Sequence, residues 1–160
     1  MEPLKSHKKK EIKMLKAIKP GEVKPYKAKM LISGDPGSGK TWFSLDWPSI
    51  YLIDSEGGAV RKQYQDKLKK VNGLYFGKEQ GAGNFENVIE EVRMLATTKH
   101  DRKTLIIDSF SQLYLNVAAE AEEKVGDAFG KDKKEANKPT RRLLRWIDKC
   151  DMNVILIAHN

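Results

Sequence analysis

A single cysteine, Cys150, occurs in the 160 residues, so no internal disulfide can form and no cysteine set exists for a zinc site. It reads as a buried structural thiol near a helix end. Long apolar runs are missing as well. The longest, such as Leu105-Ile106-Ile107 and Val154-Ile155-Leu156-Ile157-Ala158, fall far short of the roughly 20 residues a membrane-spanning helix needs. The lysine-rich start lacks the apolar segment of a secretory signal, so the sequence reads as a cytoplasmic protein with no membrane partner. Arginine is scarce, with Arg61, Arg93, Arg102, Arg141, Arg142 and Arg145 making the whole set. Negative charge is also short: the net charge is +8, and residues 1–29 alone carry ten lysines against three acids. Two readings of that start stand side by side. It is a solvated tail, or it is an arm that seeks phosphates and adds salt-sensitive affinity for nucleic acid.

Short apolar runs alternate with amphipathic stretches, the pattern of an α/β fold. Residues 1–27 read as a basic lead-in broken by Pro20-Gly21 and Pro25, and residues 28–160 as one core. Strands are expected at Met30–Ser33, Ile50–Asp54, Leu74–Phe76, Thr104–Asp108 and Val154–Ala158. The helix from Lys40 must stop before Pro48. Residues 59–70 place Val60, Tyr64 and Leu68 on one helical face. Asn84 is a plausible N-cap for a helix whose Val88, Val92 and Leu95 face inward, and a further helix is expected near Gln112–Lys124. The polar, lysine-rich stretch 126–139 reads as a loop, with Pro139 in the first turn of a helix ending near Lys149. Trp42, Phe43, Trp47 and Trp146 are expected to pack helices against the sheet, whereas Tyr114 and Phe129 are candidate platforms for stacking bases.

Gly34-Asp35-Pro36-Gly37-Ser38-Gly39-Lys40-Thr41 fits G-x-x-x-x-G-K-[ST] in full, with an apolar strand before it and a helix after it. Glycines let the backbone curl so that successive N–H groups face phosphate oxygens. Lys40 would set a full positive charge against the β- and γ-phosphates, and Thr41 would offer a hydroxyl to Mg²⁺. Asp108 ends an apolar strand. In a parallel sheet ligands gather at the carboxyl ends of strands, so Asp108 should come near Thr41 and share the metal; the alternative is a carboxylate that caps the next helix. Ser109 would serve the metal's water shell or act as that cap. Glu56, with Asp54 in reserve, would orient the attacking water, unless both are only turn residues. His159 ends the last strand, where an imidazole can donate to a γ-phosphate. His7 and His100 sit among charges and look like surface.

In this order the motifs resemble the RecA-like core of P-loop ATPases: the P-loop, Ile53-Asp54-Ser55-Glu56, Leu105-Ile106-Ile107-Asp108-Ser109, then Ile157-Ala158-His159. Within that group the sequence is most similar to phage-encoded nucleotide-binding proteins of AAA/RecA type, some of which are single-strand annealing recombinases. The resemblance runs from near Lys24-Pro25-Tyr26 to Asn160. It implies a three-layer P-loop NTPase fold with a mainly parallel sheet; such a core normally continues past the sensor strand, so the sequence reads as a truncated form, a fragment or a minimal version. It assigns the water to Glu56, the metal to Asp108 and the sensor role to His159. It also implies that the segment near Gly126–Pro139 faces DNA, which makes Lys131, Lys133, Lys134, Lys138, Arg141 and Arg142 candidate phosphate contacts; a solvated loop is the alternative. The implied partners are single-stranded DNA, further copies in a ring or filament, and a single-strand-binding protein.

Three functions follow as expectations: a Mg²⁺-dependent ATPase that handles single-stranded DNA in phage-type recombination or replication, a nucleotide-switched annealing module without significant turnover, and a small-molecule kinase. The arginines form no obvious lid, which ranks the kinase last. Asn137-Lys138-Pro139-Thr140 lacks the Asp of a guanine-reading Asn-Lys-x-Asp, so ATP is the expected nucleotide.

Overall fold

The computed structural model describes residues 16–126 and 130–160. Most of the lysine-rich lead-in, and Phe129 with it, therefore lie outside the described residues. The core runs β1 (Lys29–Gly34), α1 (Lys40–Ser44), β2 (Ile50–Asp54), α2 (Lys62–Lys70), β3 (Leu74–Phe76), α3 (Phe85–Thr97), β4 (Thr104–Asp108), α4 (Phe110–Val125), α5 (Lys131–Lys149) and β5 (Asn153–His159). Short 3₁₀ turns sit at Pro20–Glu22, Gly58–Val60 and Lys78–Gln80. No helix among the described residues is long and apolar enough to cross a membrane.

The five strands form one parallel sheet in the order β1-β5-β4-β2-β3. After β1 the chain crosses to β2, adds β3 on the outside, then returns to fill the gap with β4 and β5. The sheet is an α/β layer with helices on both faces, as the sequence pattern implies. Strand alternation divides the core. Ile50, Leu52, Ile106, Ile155 and Ile157 face α1 and α2, where Leu45 and Leu68 meet them. Ile53, Leu105, Ile107 and Val154 face α3, α4 and α5, where Val88, Val92, Leu113, Val117, Leu143 and Ile147 meet them. The centre of the sheet is apolar on both faces because helices cover both, so Leu105, Ile106 and Ile107 are all fully buried. Each such side chain contributes about 1.5–3 kcal/mol on burial. Among the described residues β1 is an edge strand, paired only with β5, and alternates between exposed and half-buried positions.

Helix starts follow local chemistry. The Asn84 side chain accepts from the Asn87 N–H at 3.1 Å, and Ser109 Oγ accepts from the Gln112 N–H at 3.1 Å. Lys29 Nζ donates to the Cys150 and Met152 carbonyls at 2.6 and 2.8 Å, which ties β1 to the end of α5. Burial pushes the Lys29 ammonium below the usual lysine range, against the raising effect of the Cys150, Asp148 and Asp151 charges.

Three expectations are corrected. Residues from Lys131 onward form no loop: α5 begins there, and Pro139 lies inside the helix. Proline has no N–H for the Glu135 carbonyl and crowds that carbonyl. The helix persists because Ala136 before the proline and Leu143 after it are both fully buried, so packing anchors each half. Trp42 and Phe43 are not buried between helix and sheet; they are 47% and 54% exposed, since α1 has only five residues and turns Ser44 inward. Trp47 and Trp146 do pack at the two cores. Val60 is exposed in a 3₁₀ turn before α2, and only Tyr64 and Leu68 of its expected face turn inward.

Candidate functional site

Because every strand is parallel, Gly34, Asp54, Asp108 and His159 end along one edge of the sheet. Gly34 stands opposite His159, Asp54 opposite Asp108, and Asp108 opposite Ile157. Residues 34–39 loop from β1 into α1, with Gly37 and Gly39 at φ 81° and 88°, a conformation that favours glycine. The Ser38 N–H closes the Asp35-Pro36 turn onto the Asp35 carbonyl at 3.2 Å.

Lys40 folds back across this loop. Its Nζ donates to the Gly34 carbonyl at 2.6 Å, the Asp35 carbonyl at 2.8 Å and, more weakly, Ser38 Oγ at 3.4 Å. The residue is 8% exposed, and its ammonium has no carboxylate partner among the described residues. A buried cation held only by neutral oxygens is costly unless an anion joins it.

The next residue bridges to β4: Thr41 Oγ1 donates to Asp108 Oδ2 at 2.6 Å. The P-loop and the β4 carboxylate thus meet although they are far apart in sequence. Burial holds the Asp108 carboxyl above the usual carboxylate range, aided by the nearby Asp54 and Glu56 charges and opposed by the Thr41 hydrogen bond and by His159. Thr41 and Asp108 offer two hard oxygens side by side. No cluster of three His, Cys, Asp or Glu side chains occurs among the described residues. That donor set suits Mg²⁺, which takes one or two protein oxygens and fills its octahedron with phosphate and water.

Glu56 occupies the loop after β2. Its Oε1 accepts from Ser109 Oγ at 2.5 Å, and its carboxylate lies 3.2 Å from His159 Nε2. With Nε2 donating to Glu56, the His159 Nδ1 is a buried atom with no partner among the described residues. The His159 N–H donates to Ser111 Oγ at 3.0 Å, which anchors the end of β5 to α4. Asp54 is differently used. It is 1% exposed; its Oδ1 accepts from the Gly57 N–H at 2.7 Å, and its Oδ2 from the Ala59 N–H at 2.8 Å and the Tyr75 hydroxyl at 2.9 Å. Asp54 fastens the loop that carries Glu56.

Residues that sequence reasoning missed complete this stitching. The Ser55 N–H donates to the Asp108 carbonyl at 2.7 Å, Ser55 Oγ donates to the Ser109 carbonyl at 3.0 Å, and the Ser109 N–H donates to Ser55 Oγ at 3.0 Å. Ser55 lies inside the Ile53-Asp54-Ser55-Glu56 motif but carries no role there, and Tyr75 sits in no motif, so no local signal marks what either does.

The six basic candidates lie on α5 rather than on a loop. Lys131, Lys134, Lys138, Arg141 and Arg142 recur at three- and four-residue steps and, with Arg145, form an exposed stripe opposite buried Ala136, Leu143 and Ile147. Lys133 falls outside the stripe. Lys138 pairs with Glu135 at 2.6 Å, and Arg142 pairs with Glu86 of α3 at 2.8 Å.

Comparison with curated proteins returned no match. A family model described as an AAA domain matches residues 26–160, which takes in the whole sheet and every residue of the cradle. The chain belongs to this AAA domain family, with a P-loop NTPase-type core for binding nucleotide.

Proposed function

We propose that the chain binds ATP with Mg²⁺ and hydrolyses it to drive work on single-stranded DNA, as phage-type recombination or replication requires. The observation that carries the nucleotide part is the buried Lys40 ammonium held by neutral oxygens, one residue from the Thr41–Asp108 contact.

The backbone N–H groups of residues 34–41 cradle the phosphates. Lys40 exchanges the Gly34 and Asp35 carbonyls for phosphate oxygens, and its charge stabilises the negative charge that builds as the γ-phosphoryl transfers. Thr41 and Asp108 would hold Mg²⁺, which would supply charge neutralisation at those phosphates. Glu56 orients the attacking water and takes its proton. Asp54 has both oxygens committed to its own loop, which favours Glu56 for that role. His159 donates to the γ-phosphate once it releases Glu56. The α5 stripe supports contact with a phosphodiester backbone, a salt-sensitive interaction.

One observation favours the second reading, a switch with little turnover: Glu56 is already engaged by Ser109 and His159. Steady-state ATP hydrolysis, with and without single-stranded DNA, separates the two. Wild-type turnover that DNA stimulates, and that both Lys40→Ala and Glu56→Gln abolish, supports the ATPase. ATP binding that depends on Lys40, with no turnover under either condition, overturns it in favour of the switch.

A further inference from the structure

An exposed aromatic ring lies beside the phosphate cradle, on the far side of β1 from the strands that carry Asp108, Glu56 and His159. Phe43 sits one helical turn beyond Gly39, whose carbonyl accepts the Phe43 N–H at 2.9 Å. It is 54% exposed. Together with Met30 and Ile32 of β1 it lines an open recess of about 550 Å³ that reaches Ser38 and Gly39 of the cradle itself. A volume of that order suits a small-molecule site.

The sheet order fixes which end of a nucleotide faces this recess. Asp108, Glu56 and His159 come from β4, the loop after β2, and β5, all on one side of β1. A triphosphate with its terminal phosphate toward Thr41, Asp108 and Glu56 points its nucleoside the other way, toward the free edge of β1. The recess is there. Its lining joins apolar Met30, Ile32 and Phe43 to polar Ser38, Gly39 and Lys40, which matches a flat base joined to a polar sugar phosphate.

The neighbouring aromatic is not free for this task. The Trp42 ring packs edge-on against Tyr64 at 5.9 Å between centroids, and Lys67 Nζ lies 4.1 Å above its face. Phe43 has no aromatic or cationic ring partner among the described residues.

We propose that Phe43, above Met30 and Ile32, is the stacking platform for the base of the nucleotide held by the P-loop, and that the site prefers purines through ring area rather than through hydrogen-bond readout. The inference rests on the nucleotide-binding reading above. Stacking a base on an aromatic side chain is worth enough that truncation to alanine weakens binding about tenfold or more.

The test is calorimetric titration of wild type, Phe43→Ala, Phe43→Tyr and Lys40→Ala with ATP, GTP, CTP and inorganic tripolyphosphate. Tripolyphosphate has the phosphates and no base. Phe43→Ala is expected to weaken ATP and GTP about tenfold, to affect CTP less and to leave tripolyphosphate unchanged, while Phe43→Tyr keeps wild-type affinities. Thermal melts of the variants should match wild type, because the ring is more than half exposed. Unchanged ATP affinity in Phe43→Ala, with binding lost in Lys40→Ala, would overturn the platform and leave the nucleotide reading standing. Equal weakening of ATP and tripolyphosphate would also overturn it, since the ring would then be shaping the cradle. Failure of wild type to bind either ligand would sink the nucleotide reading and the platform with it.

Discussion

Replacing Asp54 by asparagine tests how the Glu56 loop is held. The carboxylate accepts from three donors, with the Gly57 N–H on one oxygen and the Ala59 N–H and Tyr75 hydroxyl on the other. An asparagine amide has one accepting oxygen and one donating nitrogen. Whichever way it turns, its NH₂ faces a backbone N–H, half-buried at Gly57 or buried at Ala59. The loss is a charge-assisted hydrogen bond together with an orphaned donor, about 3 kcal/mol in all. In a chain of this size that lowers the melting temperature by roughly 6–12 °C. Tyr75→Phe removes only the third donor and should cost about 1.5 kcal/mol, or roughly 3–6 °C. Burial, then the Asp54 hydrogen bond and charge, hold the Tyr75 phenol above its usual range, so it remains a donor in alkaline solution as well. In both variants kcat for ATP should fall while KM changes little, because the cradle belongs to a different strand. Calorimetric melts and steady-state kinetics give the two readouts. An Asp54→Asn protein that melts within a degree or two of wild type and turns over at the wild-type rate would refute this account of the loop.

Asp108→Asn should stabilise the protein near neutral pH while abolishing Mg²⁺-dependent turnover. The folded carboxyl lies above its unfolded value, so its favourable contribution is present only below the unfolded pKa of about 3.9 and is lost as pH rises through the folded pKa. The gain should therefore appear in melts at about pH 7 and shrink by about pH 3. Pro139→Ala restores a hydrogen bond to the Glu135 carbonyl and should raise stability by about 1–3 kcal/mol, read by urea unfolding. Lys67→Met removes the donor to the Trp42 carbonyl at 2.6 Å, the Asp46 ion pair at 2.7 Å and the cation over the Trp42 ring. About 1 kcal/mol should be lost, with a change in tryptophan emission. If the α5 stripe binds single strands, Arg141→Ala with Arg145→Ala should flatten the slope of log affinity against log salt by about 1.4, measured by fluorescence anisotropy.

The cradle and β4 were legible because their signals are local: a complete glycine-lysine-threonine pattern, and an apolar run too continuous for a surface element. The meeting of Thr41 with Asp108 followed from the rule that parallel strands share their carboxyl ends. The second half of α5, to Lys149, is legible, while the first half, before Pro139, is hidden for the opposite reason. Its lysines and Pro139 signal a loop, and what overrides them is burial of Ala136 and Leu143 against partners distant in sequence. Residue type points Trp42 and Phe43 to the core, yet a five-residue helix turns only a narrow face inward. The roles of Ser55 and Tyr75 are invisible in the sequence, since each acts only through a partner on another strand.

The register of β1 divides the nucleotide edge in two. The strand that carries the cradle is held in the sheet by one neighbour, and that neighbour ends in His159 directly opposite Gly34. β5 is in turn braced through Ser111 at the head of α4 and through its pairing with β4. Cradle and histidine therefore stand on one strand pair, while Glu56 stands on the loop after β2, and the Glu56–His159 contact is the seam where the two halves of the nucleotide edge meet.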